Sequence, residues 1–200
     1  MAEGKGVEHM DRGSLLKLAT ALGEMKRLKR AGWVRRLGMS EPESVAEHAF
    51  RVAFLAMALS DLRGLDSGKA LRMALLDDLP EAVTGDLVPE EKAEMGRERA
   101  LELEGGALEA ILSGLPSRLR DSYLELWREG QLGESPESRL VRDIDKLEMA
   151  LQAFEYSREG YPPEKLIEFM ESARSSIRDG QLLALVEELI HEVGRNPEGY

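Results

Sequence analysis

Between Ala74 and Leu87 the chain reads ALLDDLPEAVTGDL, and its four carboxyl groups, Asp77, Asp78, Glu81 and Asp86, stand among mostly apolar neighbours. Carboxylates crowded into such surroundings protonate or destabilise the fold unless water or a cation neutralises them. The segment is therefore either a solvated turn or a site. Two more polar intrusions fall on apolar stretches: Glu47-His48 in SVAEHAFRVAFLAMALSDL, and Asp143 with Asp145 in SRLVRDIDKLEMALQAFEY. Taken singly, a His amid Ala and Phe is ordinarily a hydrogen-bonded core residue, and an Asp pair near a helix end is ordinarily solvated. Taken together, imidazole and several carboxylates on separate helices are the composition of a divalent-metal site without thiolates. A cation would hold the anions ionised, where crowding alone would raise their pKa values.

The elements that must carry these residues read as helices, because Val/Ile/Thr-rich alternating segments are nearly absent. Residues 14–30 start at a candidate Ser14 cap and place Leu15, Leu18, Leu22 and Met25 on one face. Residues 30–43, RAGWVRRLGMSEPE, break the pattern with Gly and Pro and read as a loop. Ser44-x-x-Glu47 then matches a capping box, and the helix it opens, 44–62, is apolar all round, which predicts full burial. A helix over 67–79 stops at Pro80, and EAVTGDL turns at Gly85. From Val88 to about Gly114 the chain is helical, with a break expected at Gly105-Gly106. Further helices are predicted over 116–130, 135–160 (Ser cap, Pro at the first position, Gly stop), 162–176 and 178–193.

Two hundred residues suit one sizeable domain. The expected division is a loose leader, 1–13, carrying an uncommitted His9, followed by a single all-α domain over 14–200. A formal charge of −11 and a pI near 4.9 argue against nucleic-acid polymers and anionic membrane as partners, since phosphate neutralisation needs clustered Lys and Arg. The absence of Cys excludes disulfides, thiolate catalysis and Cys-ligated zinc, so any metal here uses His, Asp and Glu. No signal-peptide pattern or bilayer-length apolar run is present, and cytoplasm is the expected compartment. His191 reads as a surface residue near a helix end, and Met57, Met73, Met149 and Met170 as apolar filling.

Three separated stretches, GWVRRLGMSEPESVAEHAFRVAFLAMAL, ALLDDLPEAVTGDL and SRLVRDIDKLEMALQAFEY, together resemble in order and spacing the HD-domain metal-dependent phosphohydrolases, and within them the small 5′-deoxynucleotidases. The resemblance spans roughly residues 30–156. It implies a single-domain helical bundle whose metal is held by a His, a His-Asp doublet and a distant Asp. Here these fall on His48, Asp77-Asp78 and Asp145. The sequence departs from the family at the doublet, where Asp77 stands in place of the first member, a His. Two readings of Asp77 stand side by side. A carboxylate ligand gives one His and three Asp and shifts preference toward harder cations, Mn²⁺ or Mg²⁺, with Co²⁺ the third possibility. Alternatively the shorter side chain does not reach, leaving a catalytically impaired nucleotide-binding protein.

The resemblance further implies that Glu81 handles a proton or a second cation, that Asp86 contacts substrate or the attacking water, and that Trp33 stands beside the sugar and refuses a 2′-hydroxyl. Among Arg30, Arg35 and Arg36, one is expected to grip phosphate, with Arg30 first by its position ahead of Gly32-Trp33. The implied reaction is hydrolysis of nucleoside 5′-monophosphates, 2′-deoxy preferred, to nucleoside and phosphate. The rival within the superfamily is a phosphohydrolase of diesters or pyrophosphates. A homodimer is implied by resemblance only.

Overall fold

The computed structural model describes residues 10–195; most of the expected leader, including His9, lies outside the described residues. Eleven α-helices make up the fold among the described residues, with no strand and one isolated antiparallel pairing, Lys29 with Ser44. The all-α expectation is met.

The first helix, α1 (Arg12–Met25), starts two residues before the expected Ser14 cap, because Asp11 accepts from the backbone N–H of Gly13 and Ser14. Its expected apolar face is only partly used. Met25 is buried, but Leu15 and Leu22 are about half exposed, at 55% and 49%. The segment read as a loop contains a two-turn helix, α2 (Ala31–Leu37), that ends on Gly38 at φ 68°. Gly32 is tolerated there because its missing side chain lets the Phe169 ring approach. A pair of backbone bonds, Arg30 N–H to Glu43 O (3.1 Å) and Val45 N–H to Leu28 O (2.9 Å), closes a hairpin-like loop around α2. This closure presses Arg30 and Trp33 against the start of the next helix.

That helix, α3 (Val45–Arg63), begins with the predicted capping box: Ser44 Oγ accepts from Glu47 N–H at 3.2 Å, and Ser44 N–H donates to Glu47 Oε2 at 2.6 Å. Full burial is not observed. Val45, Ala49, Val52, Ala53 and Ala56 are buried, whereas Phe50 (71%) and Phe54 (57%) face outward. The apolar surround of α3 thus includes an exposed aromatic face.

Helix α4 (Ser67–Asp77) ends two residues short of the expected span, capped by Asp78 ahead of Pro80, and a single turn, α5 (Glu81–Thr84), follows before Gly85 at φ 78°. The next helical stretch breaks at Gly96 (φ 87°), not at Gly105-Gly106, giving α6 (Pro89–Met95) and α7 (Arg97–Leu112). Gly105 stays helical because the Trp127 ring packs where its Cβ would be, 3.4 Å from the nearest ring atom. Then come α8 (Ser117–Leu132), α9 (Pro136–Arg158), α10 (Pro163–Ser176) and α11 (Gly180–Arg195), close to the expected boundaries.

One apolar core joins α3, α4, α9, α10 and α11 around Met73, Ile144, Leu166 and Met170; a second joins α1, α7 and α8 around Leu108, Leu112 and Trp127. Helices α3 and α4 feed both, through Val52 and Met73 on one side and Val45 and Leu76 on the other. Each large buried side chain contributes about 1.5–3 kcal/mol by leaving water, so these two helices are fixed from two directions. They carry His48 and the Asp doublet. His191 is exposed on α11, as expected, and Asp143 serves the fold, accepting from the backbone N–H of Arg178 and Asp179 ahead of α11.

Candidate metal centre

His48, on the inner face of α3, is 1% exposed and uses both ring nitrogens. Nε2 lies 3.0 Å from Asp145 Oδ1 and 3.4 Å from Asp78 Oδ2, and Nδ1 contacts Glu148 Oε2. The three expected groups from α3, the end of α4 and the middle of α9 thus meet at one imidazole nitrogen. Asp77 ends α4 beside them. Its Oδ1 accepts from the Gln131 side-chain amide at 2.7 Å, and it lines the same cleft. The cleft, about 990 Å³, is walled by Arg30, Trp33, Glu81, Asp86 and Lys92 as well as by Asp77, Asp78 and Asp145.

Electrostatics shows what this crowding costs. Burial pushes Asp77 up, with Asp78 and Asp145 adding to it, to about 7. Burial, with Asp78 and Asp86, pushes Glu81 up to about 10. For His48, burial and Arg30 favour the neutral ring, but Asp145, Glu148 and Asp78 outweigh them and raise it to about 10. Asp145 goes the other way: burial would raise it, yet Lys146 Nζ at 2.7 Å, His48 and Arg30 hold it well below the ordinary carboxyl value. Protons on His48, Asp77 and Glu81 therefore neutralise the cluster that a dication could neutralise instead. Glu81 adds a second sign of fit. It is 6% exposed, and its Oε2 has no hydrogen-bond partner among the described residues. An oxygen-rich set with one imidazole suits a hard or borderline divalent ion.

Among the described residues, the His and carboxylate set whose ligand atoms all lie within 4.8 Å of one another is Glu43, His48 and Glu148. That side of the imidazole is a poorer seat. Glu148 Oε1 already accepts from Arg51 Nε at 2.8 Å, Glu43 Oε1 accepts from Trp33 Nε1 at 2.9 Å, and the Arg51 cation would repel a dication. Glu43 is pushed up to about 7, by burial first and then by Glu148. The Nε2 side, where Asp78 and Asp145 of the cleft wall converge on the imidazole, is the better seat.

Arg30 lines the cleft with its Nη1 3.7 Å from Asp86 Oδ1; burial opposes its charge, but Asp78, Asp86 and Glu81 keep it protonated. Asp86 has a local task too, since Oδ2 accepts the Ala31 N–H at 2.6 Å and so anchors the start of α2. Trp33 is 2% exposed, clamped edge-on by Tyr156 (centroids 5.2 Å apart) and against Phe169 (4.2 Å). Arg36 also lines the cleft, paired with Glu90 and lying over the Phe169 ring. Arg35 does not line it: it pairs with Glu91 at 2.8 Å on the outer side of α2.

Several groups at the site do not stand out in the sequence. Glu148 contacts both His48 and Arg51, Glu43 lies in the same cluster, Lys146 pairs with Asp145, Gln131 holds Asp77, and Lys92 enters the cleft while bonded to Glu104 at 2.8 Å. Glu148 alone left a local trace, lying three residues after Asp145 on the buried stripe of α9. Arg51 and Gln131 become visible only through contacts across about 50 to 100 residues.

The chain resembles known proteins along most of its length. The HD domain model matches residues 22–184. The human 5′-deoxynucleotidase HDDC2 is 35% identical over 92% of this chain and 88% of its own, and the Dictyostelium discoideum 5′-deoxynucleotidase HDDC2 is 36% identical over 76% and 84%. Among solved structures, the PH0347 protein from Pyrococcus horikoshii OT3 superposes with a TM-score of 0.68 at 35% identity, covering 90% of this chain and 98% of that one. With that match across most of its length, and with Asp78 and Asp145 of the cleft wall meeting His48 Nε2, the chain belongs to the HD-domain family.

Proposed function

We propose that the protein is a divalent-metal-dependent phosphomonoesterase that hydrolyses nucleoside 5′-monophosphates, 2′-deoxy preferred, to nucleoside and inorganic phosphate. The observation that carries the reading is the convergence of Asp78 and Asp145, both on the cleft wall, on His48 Nε2. The 5′-deoxynucleotidase names of relatives 35–36% identical support the substrate class.

His48, Asp78 and Asp145 would hold the ion, with Asp77 as the fourth donor; Mn²⁺, Co²⁺ and Mg²⁺ are the ions suited to such a set. When bound, the ion supplies Lewis acidity, activating water and stabilising charge on the phosphoryl oxygens. Arg30 presents its guanidinium to the phosphate from the cleft wall, oriented by Asp86. Glu81, buried with its Oε2 unpartnered in the cleft, is placed to pass a proton to the 5′ oxygen as the P–O5′ bond breaks, while a water oxygen forms the new P–O bond and that water's proton returns to the Glu81 carboxylate. Asp86, across from Arg30, is placed to accept a hydrogen bond from the sugar or from that water. The clamped Trp33 edge is a rigid wall against which a 2′-hydroxyl would not fit.

A homodimer is part of the same proposal, supported by the exposed Phe50 and Phe54 on α3. Light scattering at micromolar concentration checks it. The enzymatic reading is tested by phosphate release from deoxy- and ribonucleoside monophosphates with Mg²⁺, Mn²⁺ and Co²⁺. Release from the deoxy series, dependent on the ion, supports it. Release only from cyclic or polyphosphorylated nucleotides would overturn it in favour of diester or pyrophosphate chemistry.

A further inference from the structure

Behind the imidazole lies a buried polar relay that the reaction itself does not use. Glu148 is fully buried, and its two oxygens are divided between His48 Nδ1 and Arg51 Nε, the latter at 2.8 Å. Arg51 is held in turn by Glu155 Oε1 at 2.7 Å and by the Gln152 side-chain oxygen, both one or two turns further along α9. Arg51 spends all three guanidinium nitrogens on one helix face, so its position is over-determined although its side chain is 28% exposed.

An imidazole has one coordinating lone pair in its neutral form, and the nitrogen that carries the proton is set by the bond made at the other. A carboxylate accepting from Nδ1–H holds the proton there, orients the ring and leaves Nε2 free for a ligand. Glu148 is a carboxylate with no solvent to share, placed at Nδ1 of the buried His48, whose Nε2 meets the cleft-lining Asp78 and Asp145. A merely structural buried acid would be expected to find its counter-charge and stop. This one is tied on both sides, to the imidazole and to Arg51, and the tie runs from the protein surface to the ring.

We infer that Glu148 and Arg51 are positioning residues: Arg51 fixes the Glu148 carboxylate, which fixes the tautomer and angle of His48 so that Nε2 is presented to a divalent cation. The inference rests on the proposed metal site at Nε2. It also assigns a role to the Glu43–His48–Glu148 cluster, which on this account supports a metal site and is not one.

The test is titration calorimetry of Mn²⁺ and Co²⁺ into the chelator-treated full-length chain, with thermal unfolding of the same samples with and without ion. Glu148→Gln should weaken ion affinity by about 10- to 100-fold, the range typical of partners that orient a liganding His. Arg51→Met should weaken it in the same direction by less, since Glu148 keeps its bond to Nδ1. The double variant Glu148→Gln/Arg51→Met removes both charges of the pair and keeps the volumes, so it should recover metal-free thermal stability without recovering ion affinity. A purely structural role moves the two readouts together. Ion affinity in Glu148→Gln equal to that of the parent chain, or full recovery of affinity in the double variant, overturns the inference and leaves the metal site standing. A parent chain that binds neither ion overturns the metal site itself, and the inference with it.

Discussion

His48 Nε2 and Asp145 Oδ1 lie 3.0 Å apart although 97 residues separate them in the chain. Such a contact between α3 and α9 is of no use to either helix by itself, since each is independently capped and packed. Its use is at the cleft. Removing either partner, by His48→Ala or Asp145→Ala, is predicted to cost about 4 kcal/mol of transition-state stabilisation, roughly 10³-fold in kcat/KM, while circular dichroism stays helical. Steady-state phosphate release measures it.

Binding of the ion should release protons. With His48 raised to about 10 and Asp77 to about 7, the metal-free site carries protons at neutral pH that a dication must displace. Ion affinity is therefore predicted to rise with pH between 6 and 8. Calorimetry in two buffers of different ionisation enthalpy counts the protons released.

The same shifts predict how stability depends on pH. His48, Asp77, Glu81 and Glu43 all have folded pKa values above their ordinary ones, so between pH 5 and 9 the native state binds more protons than the unfolded chain. Stability from these groups is present at low pH and is lost as pH rises through about 7 and then toward 10. The metal-free chain should show a falling Tm over that window, and saturating Mg²⁺ should flatten the fall. Differential scanning calorimetry at pH 6, 7.5 and 9 distinguishes the two curves.

Asp77 is expected to act as an oxygen ligand whose aim is set by Gln131. Asp77→His should then shift preference from Mg²⁺ toward Co²⁺ without a general gain in turnover, and Gln131→Leu should weaken Mg²⁺ binding. If Asp77→His instead accelerates phosphate release with every ion, Asp77 is an impaired position and the native chain is chiefly a nucleotide binder.

Glu81 and Trp33 separate chemistry from selection. Glu81→Gln removes the proton at Oε2 and is predicted to lower kcat by about 10²- to 10⁴-fold with little change in KM. Trp33→Leu should narrow the deoxy-over-ribo ratio, and as a substitution at a buried Trp it should also destabilise, by up to about 3–5 kcal/mol. Kinetics on paired deoxy- and ribonucleotides, alongside denaturant unfolding, resolves the two effects.

Much of this was written locally in the chain. Ser44-x-x-Glu47 and Ser135-Pro136 set helix starts because caps act within one turn, and Gly85 sets a turn through its own backbone. Where tertiary contacts decide, local patterning misleads. Gly105-Gly106 looked like a break and is mid-helix because Trp127 packs on it, while Arg30–Gly38 looked like a loop and holds α2 because Asp86, 55 residues away, accepts the Ala31 N–H. Phe50 and Phe54 could not be told from core residues by composition. The same limit applies at the site. His48, Asp78 and Asp145 stood out as polar residues on apolar helices, but Arg51, Gln131 and Lys92 look like any surface residue until the helices are assembled.

The most direct measurement is anomalous diffraction from crystals grown with Mn²⁺, which locates the ion independently of any assay. The account predicts one strong peak in the cleft within bonding distance of His48 Nε2, an Asp78 oxygen and an Asp145 oxygen. A peak between Glu43 and Glu148 on the Nδ1 side, or an ion bound only at the protein surface, would contradict it.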